Sequence, residues 1–345
     1  MSLKSVLHFR ASALVLSVLA LILAAPSFAA KKPEEIPEWL QRHVGLGDGK
    51  IAATVLQRSR KLYQQQVRKG KIKNPCYFAM DATRPHDMGH KRLGRRFYII
   101  CEAKKSFRAI PAGHGGGRKL RGLAKITNGR RCVKNFSNAL NSKLTDGGAY
   151  ITAETKTSFK GFYRISGKRK TTLHRTFLQF EGLGENENAR EREIGGHAAI
   201  LLRNMCRLKD PKSRHADSDG YVFMGRLVDY TGGRSSGCTT WTKSDAKKII
   251  SMVENKPTTL YIYPESSDIK AVAEFKKKSS KKSTKTKPYW NASCLKQIKT
   301  PKYWPKEKLE PILESYNKAH PKAAPRPVPL CRSQRKLPFV ATERI

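Results

Sequence analysis

The chain has 345 residues, with 69 Lys and Arg against 27 Asp and Glu, for a formal net charge of +42. That length suits one large domain with appendages. So large a cationic excess says nothing about the fold and speaks instead of partners. With the N-terminus read as an export signal, nucleic acid drops out and anionic wall polymer or a membrane surface remains.

In chain order, the signal comes first. Lys4 and Arg10 form a positive start, Ala13 to Ala25 is apolar apart from Ser17, and Ser27-Phe28-Ala29 supplies small residues for cleavage. That order predicts a secretory signal peptide over 1–29 and an exported, periplasmic or wall-associated product. Beyond Ala30 no stretch approaches the length of a bilayer span, so no transmembrane segment is expected in the mature protein.

Residues 30–75 read as a helical lead-in. Ile36, Leu40, Val44, Ile51, Val55, Leu56 and Leu62 recur at helical spacing, broken at Gly45-Leu46-Gly47. Its basic polar face suits a helix lying on the main domain or on an anionic surface. From 76 to 268 the texture turns to short β-rich runs, Phe97–Ile100, Gly148–Thr152, Phe177–Phe180 and Thr259–Tyr263, between Gly, Asn and Asp clusters. One amphipathic helix is predicted there, capped by Ser244, with Ala246, Ile249, Ile250 and Val253 as its buried stripe. The expected class is mainly β, a sandwich or partly open barrel with a few helices.

The stretch 269–287, ending in the basic, apolar-free Lys276–Lys287, reads as a solvated linker or a tether to an anionic surface. Residues 288–345 read as an irregular extension. Its aromatic pairs Tyr289-Trp290 and Tyr303-Trp304 are expected to pack as a flap on the main domain, with stacking on sugars as the alternative.

Seven cysteines, Cys76, Cys101, Cys132, Cys206, Cys238, Cys294 and Cys331, are an odd number. In an oxidising compartment six can pair and one is left over, and catalysis is a reason to keep it reduced. The pairing is not readable. Cys294 and Cys331 are expected to anchor the extension, to each other or to the main domain.

Two windows carry chemistry. In Gly232–Trp241 (GGRSSGCTTW), glycines let backbone amides come close to a ligand, and Cys238 sits where the amides around Ser236 and Gly237 could meet a developing oxyanion. The bland alternative is a turn holding a disulfide cysteine. In Ile194–Leu202 (IGGHAAILL), His197 follows Gly195 and Gly196 and opens an apolar run. A histidine there is commonly a packed core residue; a thiol downstream that needs a base makes it a candidate for that role. His215, Asp217 and Asp219 offer poor spacing for calcium and read as a solvated loop. The run His114–Lys119 lacks the ending of a phosphate loop and reads as a β-turn near the cleft. Neither metal nor cofactor is expected.

These pieces have a known counterpart. Ala112–Gly115, Phe136–Asn138, Gly147–Tyr150 with Thr152, Leu183 with Asn186–Arg190, Gly196–Ala198 and Gly233–Cys238 occur in the order found in the YkuD-type L,D-transpeptidase catalytic domain. The chain resembles most its murein transpeptidase-like subgroup with a G-R-S-x-G-C motif, over Phe97 to Pro264. The resemblance implies a β-sandwich-like domain, with Cys238 as nucleophile and His197 as base, forming a thiolate–imidazolium pair across a cleft. The implied substrates are peptidoglycan stem peptides, attacked after the L-centre of their diamino acid. Gly237, Ser236, Arg234, Gly196, His114 and Tyr150 are implied as oxyanion or substrate-binding positions. Where many members carry His two before the cysteine, Arg two after it, and Gly after the catalytic His, this chain has Ser236, Thr240 and Ala198. Transfer to an amine, hydrolysis at the same site by a carboxypeptidase or cross-link-cleaving enzyme, and a non-catalytic cationic wall-binding role are the three readings to separate.

Overall fold

A computed structural model of the chain describes residues 35–90, 92–166, 169–278 and 287–331. The expected signal peptide, and residues 279–286 of the expected linker, lie outside them. The fold is that of the compact unit that begins at Glu38.

The lead-in is helical in two pieces, α1 (Glu38–Gln41) and α2 (Ala53–Arg68), parted by the predicted glycine break. Val55, Leu56 and Leu62 are buried on α2, which packs on the sheet rather than standing off as a separate module. Arg58 on this helix grips Asp268 with two bonds of 2.6 and 2.8 Å. Arg84 reaches into the glycine break, donating to the carbonyls of Gly45 and Gly47 at 2.6 Å each. Backbone carbonyls left free by a turn are satisfied by a buried cation from the main domain.

The sheet begins with β1 (Cys76–Asp81), β2 (Arg95–Cys101) and β3 (Ser106–Pro111), followed by the short β4 (His114–Gly115), β5 (Lys119–Leu120), β6 (Ala124–Lys125) and β7 (Asn135–Phe136). A long hairpin comes next, β8 (Gly148–Ser166) and β9 (Arg169–Leu183), and a 3-10 turn over Gly184–Ala189 leads into β10 (Gly195–Ala198). A second hairpin, β11 (Ile200–Lys209) and β12 (Tyr221–Asp229), precedes β13 (Arg234–Ser235) and β14 (Thr239–Trp241). Helix α3 (Lys243–Val253), β15 (Thr259–Tyr263) and α4 (Ser266–Lys278) follow, and α5 (Ala292–Ile298), β16 (Lys302–Tyr303) and α6 (Lys306–Ala319) close the described chain.

Strand outweighs helix, as expected. The main sheet has ten strands in the order β14-β10-β9-β8-β15-β1-β2-β3, with β12 also pairing β8 and β11 pairing β12. It is mixed: β1–β15 and β10–β14 run parallel, the hairpins antiparallel. No barrel closes. All four predicted β runs fall inside strands β2, β8, β9 and β15. The predicted helix is α3, but its N-cap is Thr242, which accepts from the Asp245 amide, and not Ser244. Ala246, Ile249 and Val253 are buried on it as expected, and Ile250 only partly.

The core lies on the sheet face covered by α3 and α4 and the C-terminal segment, around Phe78, Phe97, Phe180, Trp241 and Trp290. Trp241 is fully buried, its ring edge-on to Phe97 at 5.3 Å.

Two boundaries differ from expectation. Helix α4 runs across residue 268, so the domain does not stop there. The C-terminal extension is not irregular: it holds α5 and α6, the latter burying Leu309 and Leu313 in a satellite core with Leu120, Ile126 and Leu144. The three disulfides are Cys76–Cys101, Cys132–Cys294 and Cys206–Cys331. Each extension cysteine is therefore tied to the main domain and not to the other. The aromatic pairs pack as a flap: Trp290 is buried edge-on against Phe136, and Trp304 donates to Asn135 Oδ1 at 2.9 Å. Among the described residues no helix is long and apolar enough to cross a membrane.

Candidate active site

Cys238 is the one free cysteine and is half-buried. It sits just before β14, at the end of a loop that ties itself down. Ser235 Oγ donates to the Cys238 carbonyl at 2.5 Å and accepts from the Gly237 amide at 3.1 Å. Thr145 Oγ1 donates to the Gly237 carbonyl at 3.1 Å. Gly237 has φ +123°, a conformation that costs a side-chain-bearing residue heavily. Because the Gly237 amide is spent on Ser235, the amides of Ser236 and Cys238 are the ones without a protein acceptor among the described residues, and so available to an oxyanion.

His197 stands on the neighbouring strand β10. That strand lies between β9 and β14, with His197 opposite Phe177 on one side and Thr240 on the other. Parallel partners point to the same face, so His197 and Thr240 share one, and Cys238 leads into that strand from the loop before it. Thiol and imidazole make no hydrogen bond with each other among the described residues, and the charge of Arg175 bears on both. The close packing needs glycine: a Cβ at Gly196 would stand 2.1 Å from the Trp241 ring, and one at Gly195 2.3 Å from the Leu178 carbonyl. Gly196 thus serves by letting Trp241 in beneath the site, and it presents no group of its own to a substrate.

The His197 Nδ1 lies 2.8 Å from the Ala198 carbonyl. A carbonyl only accepts, so Nδ1 carries the proton and Nε2 is left as the base. Burial pushes this imidazole down to about 4, with Arg175 and Lys160 acting in the same direction. Burial pushes the Cys238 thiol up, opposed by the Gly195 backbone and by the charges of Arg175 and Arg192. Both shifts favour the neutral thiol and neutral imidazole at rest, not the thiolate–imidazolium pair expected from the resemblance. The thiol donates weakly to the Glu193 carbonyl at 3.5 Å.

The other expected positions divide. Ser236 is exposed beside the thiol. The Arg234 guanidinium turns away to donate to the Asn128 carbonyl at 2.8 Å, fastening the nucleophile loop from behind. His114 pairs with Arg234 along β4–β13 and is fully buried, its Nδ1 accepting from Arg96 at 2.8 Å and its ring edge-on to His86. It supports the loop from below and does not open onto the cleft. Tyr150 is fully buried in the core with its hydroxyl donating to the Asp146 carbonyl at 3.0 Å, so it faces no substrate.

Two residues at the site had no sequence signal. Arg175 on β9 is two residues from Phe177, on the His197 face. Tyr230, almost buried, has its phenol pushed up to about 12, by burial first and by proximity to Cys238 among the rest. The loop Asp217–Asp219, weighed as a cation site, is a hairpin turn whose carboxylates both accept from Arg207, at 3.0 and 3.1 Å. Comparison with protein-family models, with curated proteins and with solved structures finds no match to this chain.

Proposed function

We propose that the chain is an exported cysteine L,D-transpeptidase of the YkuD type that acts on peptidoglycan stem peptides through a thioester on Cys238. One observation carries the reading: six of seven cysteines pair, and the seventh stands half-buried at the start of the strand next to that of His197, whose Nδ1 is held by a carbonyl so that Nε2 is left as a base. A cysteine kept unpaired in a disulfide-rich protein, beside a base, is what nucleophilic catalysis requires.

In this mechanism Cys238 Sγ attacks the carbonyl after the L-centre of the stem's diamino acid. Its proton passes to His197 Nε2 as the S–C bond forms, so no resting ion pair is needed. The Ser236 and Cys238 amides hold the oxyanion. His197 then gives the proton to the leaving D-alanine nitrogen as the C–N bond breaks, leaving the thioester. An amine of a second stem attacks the thioester, loses its proton to His197, and releases the cross-linked product and the thiol. Water at the same step gives hydrolysis instead. The cationic excess keeps the enzyme near anionic wall polymer or membrane surface.

The test is mass spectrometry of the mature protein incubated with muropeptides bearing a tetrapeptide stem, wild type beside Cys238→Ala. The expected result is an adduct on Cys238, loss of the terminal D-alanine and a 3–3 cross-linked dimer, all absent from the variant. A free tripeptide as sole product makes the enzyme a hydrolase. No change of substrate with either protein overturns the enzyme reading in favour of a cationic wall-binding protein.

A further inference from the structure

Two cations whose charge bears on His197 have no counter-ion among the described residues. Arg175 on β9 lies opposite Ser158 on β8, and Lys160 follows two residues on, at an irregularity in the pairing between Phe159 and Gly161. Both are half-buried. Neither side chain makes a hydrogen bond or ion pair with any described residue. Arg192, the other cation whose charge bears on Cys238, is engaged with the Ser137 and Leu144 carbonyls.

Arg175 is placed by the fold to face the reacting groups. Phe177, two residues on along a regular stretch of β9, faces His197, with ring centroids 6.3 Å apart. Alternation therefore sends Arg175 out on the same side as Phe177 and His197. Its charge bears on Cys238, His197 and Tyr230 alike. Holding two cations side by side and partly out of water, without an acid between them, is unfavourable in the empty protein and favourable once an anion arrives. The planar guanidinium fork matches a carboxylate with two parallel bonds, and the ammonium behind adds a point charge.

We propose that Arg175, backed by Lys160, is the carboxylate subsite for the acyl donor and selects donors that carry a free carboxylate close to the scissile amide. The inference rests on the reading of Cys238 as the nucleophile, and its test separates the two. Cys238 is the only unpaired cysteine, so alkylation reports on it alone. The probes are iodoacetate, which is anionic, and iodoacetamide, its neutral counterpart, applied at low ionic strength where the field is little screened.

In wild type the ratio of iodoacetate to iodoacetamide rates is expected to exceed that of a free cysteine peptide by about tenfold, the lower end of what a focused charge supplies. Arg175→Gln brings the ratio down to that of the free peptide, whatever the loss of its charge does to the thiol and so to both rates together, and Arg175→Lys keeps most of the preference. Lys160→Gln loses a smaller part. A ratio unchanged in Arg175→Gln overturns the subsite. A fall in both rates by one common factor is that same outcome, and makes Arg175 an activator of the thiol only. Turnover of a tetrapeptide-stem donor against its carboxyl-amidated analogue completes the test: turnover with an unchanged ratio overturns the subsite alone. An Arg175-dependent ratio in a protein with no turnover overturns the transpeptidase reading and leaves the anion site standing.

Discussion

At the scale of single residues, the site is governed by burial of groups that would be charged in water. His197 is held down to about 4, and His86 and His114 are held well below the usual imidazole range, in each case by burial first. A histidine that stays neutral in the folded chain but takes up a proton when unfolded stabilises the fold above its unfolded value, near 6.5. That contribution is lost as pH falls through the folded value. Stability is therefore expected to fall from about pH 6.5 toward about pH 4, His197 by itself accounting for up to ~3 kcal/mol. Urea unfolding at a series of pH values checks this, with His197→Gln flattening part of the slope. A curve flat across that window means the imidazoles are already charged or open to water. The free thiol was legible at this scale, because an odd cysteine count in an export-type sequence leaves one over. Tyr150 was misplaced for the converse reason: a short motif match carries no information about which way a side chain points.

At the scale of elements, reactivity depends on how tightly β10 lies against β14. Gly196 has no room for a methyl group above Trp241. Gly196→Ala is expected to cost ~1–3 kcal/mol by overpacking and to shift β10 against β14, the strand Cys238 leads into, so that chemical denaturation and Cys238 alkylation both change. A variant with wild-type stability and thiol reactivity would show that the two strands are not packed as closely as described. The strands themselves were largely legible, since β-branched and aromatic runs bounded by turn residues specify them locally. The C-terminal helices were not. The proline-rich composition argued against regular structure, yet α6 accommodates Pro311 because Leu309 and Leu313 are buried in the satellite core. Pro305 serves as its N-cap, where a missing amide proton costs nothing.

At the scale of the whole molecule, three cross-links hold distant parts of the chain together. Cys132–Cys294 closes 162 residues and Cys206–Cys331 closes 125, fastening the extension to the domain at two points. The double replacement Cys132→Ser with Cys294→Ser is expected to lower stability by ~2–4 kcal/mol, mostly by releasing the unfolded chain. Thermal unfolding reads the loss. Unchanged stability would mean the extension is held by its buried aromatics alone.

The sequence by itself determined the cationic excess, the local strand and helix segments, the odd cysteine count, and the two windows that hold Cys238 and His197. These follow from composition and from spacings within a few residues, where local propensity decides. Only the tertiary structure decided which cysteines pair, that Arg234, His114 and Tyr150 support the site from behind or within the core, and that Arg175 and Tyr230 stand beside the thiol. Those facts depend on strand register across long sequence separations, and a shift of one residue in register turns every side chain to the opposite face.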